Sequence, residues 1–98
     1  MLEKIQHKMA RKKVESLLAE YGLVLKHFLP GRLRIAILEW DSRKDLVLSL
    51  LSEIENDSDV ISIEFTKETG TALIYYNKEA IYQPETINRW RNKIEKYM

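Results

Sequence analysis

The chain has 98 residues, no cysteine and a formal net charge of +1, with 45% hydrophobic and 32% charged residues. These values describe one domain with a single thin core. They exclude disulfides, a thiolate nucleophile and a zinc site built on sulfur. No apolar run approaches the roughly 18 residues of a membrane span, and Met1–Lys13 lacks the apolar centre of a secretory signal. The expectation is a cytoplasmic protein.

Leu2, Ile5, Met9, Val14, Leu17, Leu18 and Tyr21 recur at helical spacing, and Gly22 follows as a stop, so residues 2–21 read as one amphipathic helix. Its first half is basic, with Lys4, Lys8, Arg11, Lys12 and Lys13 against Glu3, whereas residues 39–68 are rich in Asp and Glu. The basic half reads as a solvated face, or as a contact of residues 1–21 with a membrane surface or a partner.

Leu23–Leu29 has the composition of a strand, and Pro30-Gly31 reverses the chain. Leu33, Ile35 and Ile37 then alternate with Arg32, Arg34 and Ala36, a strand with one buried face. A two-residue reversal pairs Phe28 with Leu33, Lys26 with Ile35 and Val24 with Ile37. That register sends Leu23, Leu25, His27, Arg34, Ala36 and Leu38 to the opposite side. A Pro-Gly turn of type II splays a hairpin, so a bulge or a wider loop is the alternative.

Ser42 and Asp45 resemble a capping box. They open a helix with Leu46, Val47, Leu50, Leu51 and Ile54 on its apolar stripe, ending at Asn56–Asp59. Val60–Thr66 alternates with Ile61, Ile63 and Phe65 on one face. After a turn at Lys67–Gly70, Thr71–Tyr76 places Ala72, Ile74 and Tyr76 on one face and Leu73 and Tyr75 on the other, which predicts a hairpin. Pro84 opens a last helix carrying Ile87, Trp90, Ile94 and Tyr97 or Met98.

This order predicts an α+β fold, a ferredoxin-like sandwich with a four-stranded antiparallel sheet and an extra N-terminal helix. Residues 1–22 form the basic helix and residues 23–98 the domain proper, with residues 23–29 standing where the plan's last strand would be. Helices 42–56 and 84–98 cover one face. The other face, with Leu23, Leu25, Ala36, Leu73 and Tyr75, is too apolar for water, so the N-terminal helix, a ligand or a second subunit is expected over it.

Three segments carry a resemblance. His27-Phe28-Leu29-Pro30-Gly31-Arg32-Leu33-Arg34, Asp59-Val60-Ile61-Ser62-Ile63 and Thr69-Gly70-Thr71-Ala72-Leu73-Ile74-Tyr75-Tyr76 resemble the cysteine-less branch of the heavy-metal-associated (HMA-like) domains over about residues 25–78. Asp59 departs from that branch's usual Gly. The resemblance implies a ferredoxin-like fold. It does not imply soft-metal transfer, because the C-x-x-C of the metal chaperones falls here on Leu38–Ser42, where Glu39 and Asp41 are hard oxygen donors.

The candidate site is the second sheet face. His27 and Arg34 are expected as cross-strand neighbours with Tyr75 on the same side, and Arg32 adds a second guanidinium nearby. His27 is the candidate metal ligand, against the alternative of a locally bonded, partly buried imidazole. An imidazole beside an Arg and a Tyr on an apolar floor can ligate haem iron and hold a propionate, so haem or a metal ion is the candidate cofactor and its identity stays open. The glycine-aromatic run of RNA-binding sheets is missing from the sequence, which argues against nucleic acid. No Ser/His/Asp set, Gly-rich phosphate loop or H-E-x-x-H supports an enzyme. The expected function is therefore a small non-enzymatic binding domain that binds or hands over a cofactor or metal-containing ligand, or docks on a membrane transporter. The alternative is a protein-interaction or homodimerisation module without a small ligand.

Overall fold

The computed structural model describes residues 2–98; Met1 and the side chains of Leu2, Glu3 and Lys4 lie outside the described residues, as do the expectations placed on them. The elements are α1 (Leu2–Ala19), β1 (Leu23–Leu29), β2 (Arg32–Ile37), α2 (Lys44–Glu55), β3 (Val60–Thr66), β4 (Thr71–Tyr76) and α3 (Pro84–Tyr97), with 3₁₀ turns at Trp40–Ser42 and Ala80–Tyr82. The fold is α+β. Its four strands form one sheet in the order β1-β2-β4-β3, with every neighbouring pair antiparallel.

The β1–β2 hairpin closes at Pro30-Gly31, with Gly31 at φ +80° as a type II reversal requires. Counting outward, Leu29 pairs with Arg32, Phe28 with Leu33 and His27 with Arg34. The register then shifts: Leu25 pairs with Ile35 and Leu23 with Ile37, leaving Lys26 as the extra residue of a β-bulge. This corrects the expected pairing of Lys26 with Ile35 and of Val24 with Ile37. Leu23 and Leu25 are buried on the inner face, not displayed on the outer one. An unbroken register would have driven the Lys26 ammonium into the core and two leucines into water. One inserted residue puts both right.

β3 carries a second irregularity. Val60 pairs with Tyr76 and Ser62 with Tyr75, so Ile61 bulges out and is 71% exposed, while Ile63 and Phe65 pack against the core as expected. The alternation of Ala72, Ile74 and Tyr76 inward holds throughout β4.

The N-terminal helix does not cover the outer face. Ala10, Val14 and Leu18 of α1 belong to the same buried cluster as Val47, Leu50, Leu51 and Ile54 of α2, Trp90 and Ile94 of α3, and the inward residues of all four strands. Three helices thus share one side of the sheet. The reason is the bulge: by turning Leu23 and Leu25 inward, it extends the apolar inner surface across β1, and α1 packs there. Arg91 donates to Glu20 at 3.1 Å and the Tyr21 hydroxyl to Glu95 at 2.8 Å, joining the turn after α1 to α3. Within the core, these layers leave an all-apolar void of about 60 Å³ lined by residues including Val14, Leu50, Ile74 and Trp90.

α2 starts two residues later than the capping-box reading placed it. Glu39 adopts φ +55°, and the Glu39 carbonyl accepts both the Ser42 amide (3.0 Å) and the Ser42 hydroxyl (2.7 Å). Ser42 therefore closes the 3₁₀ turn, and Arg43 precedes the helix with no side-chain cap. No helix among the described residues is long and apolar enough to cross a membrane.

Candidate binding surface on the open sheet face

With every helix on the inner side, the outer face of the sheet is left uncovered. The pairings lay its residues out in rows across the strands. One row runs His27, Arg34, Leu73, Glu64 from β1 to β3; the next runs Leu29, Arg32, Tyr75, Ser62. Beyond them lie Val24, Ala36, Thr71 and Thr66. The structure therefore brings His27 and Arg34 together as neighbours, sets Arg32 beside Tyr75, and puts all four on one face. His27 is exposed, so the partly buried imidazole weighed as the alternative is not what is found. Leu73 and Tyr75 are half-buried by their neighbours within the sheet.

The face is one side of a four-stranded sheet. Haem set against His27 there would keep one whole side in water. Among the described residues no three His, Asp or Glu side chains converge as a metal-binding group. The charge is ordered, however. Lys26, His27, Arg32 and Arg34 occupy β1 and β2, the apolar Leu73 and the aromatic Tyr75 occupy β4, and Glu64 stands on β3. Neither arginine takes part in an ion pair among the described residues.

Beneath this face, Tyr76 fixes the end of the hairpin that carries the site. It is 1% exposed, its ring meets Trp90 edge-on at 5.9 Å, and its hydroxyl donates to the Leu29 carbonyl at 3.0 Å. Burial pushes that hydroxyl up to about 12.

The loop Leu38–Ser42 is built around Trp40. The Trp40 ring packs edge-on against Phe65 at 5.2 Å and lies over Gly70, where a Cβ would sit 2.6 Å from the indole. The loop is a packed corner.

One cluster escaped the sequence reading. Asn56–Asp59 reads as a plain helix end, yet the Asp57 carboxylate is wholly buried. It accepts Arg89 Nε at 2.7 Å and Arg89 Nη2 at 2.9 Å, Lys93 Nζ at 2.7 Å and the Asp59 amide at 2.9 Å. Arg89 also binds Asp59, which accepts the Thr86 hydroxyl at 3.2 Å. The Arg89 guanidinium, helped by Lys93 and the Asp59 amide, holds the Asp57 carboxyl well below the usual carboxylate range against the opposing effect of burial. The only signal in the sequence is that Arg89 and Lys93 lie one helical turn apart. Every group in the cluster is paired, so it clamps α3 to the α2–β3 junction.

Compared with protein-family models, with curated proteins and with solved structures, the chain matches none of them.

Proposed function

We propose that this chain is a non-enzymatic interaction module that pairs with a second copy of itself through the open sheet face. The observation that carries the reading is the row His27–Arg34–Leu73–Glu64, which passes from cationic through apolar to anionic across the sheet. A two-fold axis parallel to the strands lays β1 and β2 of one copy over β3 and β4 of the other. His27 and Arg34 then approach the other copy's Glu64, and Arg32 lies over its Tyr75 ring. An isologous contact of this kind needs a patch complementary to itself, and this row supplies one. Two sheets packed face to face about 10 Å apart would also dry Leu73, Tyr75 and Ala36.

The order β1-β2-β4-β3 supports a ferredoxin-like reading in which residues 23–29 stand in the place of that plan's last strand. The HMA-like resemblance is consistent with it. An open, one-sided sheet favours recognition of a surface over enclosure of a cofactor.

Sedimentation equilibrium tests the proposal. The expected mass is that of two 11.6 kDa chains. Arg34→Glu and Glu64→Lys, both at exposed positions, should each yield monomers, because each sets like charges against each other. Mixing the two variants should restore a dimer, because both contacts become opposite-charge pairs again. A wild-type monomer throughout the micromolar range, or dimers unaffected by either change, overturns the reading.

A further inference from the structure

α1 presents a second surface, independent of the sheet face. Ala10, Val14, Leu17 and Leu18 turn inward, which fixes the opposite pole of the helix as Ile5, Lys8, Met9 and Lys12, spaced i, i+3, i+4, i+7. Ile5 is 57% exposed and Met9 56%. Lys13 and Arg11 flank this stripe on its two sides, both exposed. None of Lys8, Arg11, Lys12 and Lys13 makes an ion pair among the described residues. A helix already anchored by one face to its own core thus shows water two large apolar side chains beside four exposed cations, with one exposed carboxylate, Glu15, a turn farther along.

We propose that this pole docks on the surface of an anionic phospholipid bilayer. The helix axis would lie in the plane of the headgroups, Ile5 and Met9 would enter the acyl boundary, and Lys8, Arg11, Lys12 and Lys13 would meet lipid phosphates and carboxylates. Charge complementarity selects an anionic partner, and the two apolar side chains at the centre select lipid over nucleic acid. A phosphodiester backbone rewards the lysines but gains nothing from an isoleucine and a methionine. The geometry also explains why the stripe can be apolar without joining the core: its residues lie about half a turn of the helix away from Val14. Each cation near such a surface contributes about fivefold to binding, and the contribution fades with added salt.

The test is co-sedimentation of the full chain with vesicles of phosphatidylcholine alone and of phosphatidylcholine with about one third phosphatidylglycerol, chosen to give an anionic surface. The chain should bind the anionic vesicles at low salt, bind the neutral ones far less, and be released at high salt. Lys8→Gln with Lys12→Gln should weaken binding about 25-fold, given about fivefold per cation. Ile5→Ser with Met9→Ser should weaken it several-fold without changing the charge. These positions are exposed, so circular dichroism should confirm an unchanged fold. Failure to bind anionic vesicles at low salt, or equal binding by the lysine variant, overturns the proposal. So does tight binding to a duplex oligonucleotide that needs the lysines but is indifferent to Ile5 and Met9. A dimer that fails to form leaves this surface intact, and the reverse also holds, so the two proposals fail separately.

Discussion

The two sides of this sheet obey different rules. The inner side carries Leu23, Leu25, Phe28, Leu33, Ile35, Ile37, Ala72, Ile74 and Tyr76, all buried, and three helices close over it. The outer side mixes Arg32, Arg34 and Lys26 with Leu73, Tyr75, Val24 and Glu64, and no helix among the described residues lies over it. On the inner side, position is decided by removal from water, strongly enough to insert a residue into β1. On the outer side nothing in the fold demands an arginine opposite a tyrosine. The order of charge there is free to serve recognition.

Substitutions should separate the two sides by size of effect. The largest loss is expected for Trp90→Ala, which removes the ring packed edge-on against Tyr76: about 4 kcal/mol in denaturant unfolding. A loss under 1 kcal/mol would mean that α3 is not part of the core as described.

Asp57→Asn comes next, at about 3 kcal/mol, because it leaves Arg89 and Lys93 half-paired around a buried amide. It carries a pH signature. The folded Asp57 carboxyl titrates below its unfolded value of about 4. Its contribution is therefore complete above that value and is lost as the pH falls below it towards the lower folded value. The wild type should lose stability over that acid range more steeply than the variant. Parallel acid limbs would show that Asp57 is not ionised in the folded chain.

Gly70→Ala should cost about 2 kcal/mol, since the residue sits at φ +66° with Trp40 against it. Filling the void has the opposite sign: Val14→Ile should gain about 0.5–1 kcal/mol. The smallest change in fold stability, within about 0.5 kcal/mol for the monomer, is expected for Leu73→Ser on the outer face, measured below the dimer's dissociation range. The same change should abolish the dimer. A large cost to the monomer would erase the distinction between the two sides.

How far the molecule could be read beforehand follows the range of the forces involved. The β3–β4 hairpin, α2 and α3 were legible because alternation and helical spacing are local, although the bulge that turns Ile61 away from the face of Ile63 and Phe65 was not. Outward from Pro30-Gly31, turn geometry gave the register as far as His27 and Arg34, and so gave the neighbours at the candidate site. It failed at the next residue, although two adjacent polar residues, Lys26 and His27, between apolar alternations are the mark of a bulge. The stripe on α1 announced burial but not which side of the sheet would receive it. The Asp57 cluster was out of reach because its partners lie more than 30 residues away in sequence, and only the packing of α3 unites them.

The bulges have a further effect on how copies of the chain can meet. Both outermost strands are irregular, β1 at Lys26 and β3 at Ile61. The free margin beside β3 is further occupied, since the Ile63 amide donates to the Glu55 carboxylate at 3.3 Å. A neighbour trying to continue the ladder sideways finds a crooked, partly saturated rim, which disfavours open-ended stacking into fibrils. The broadside contact proposed above would be self-limiting: once two copies had met, neither would have another such face to offer.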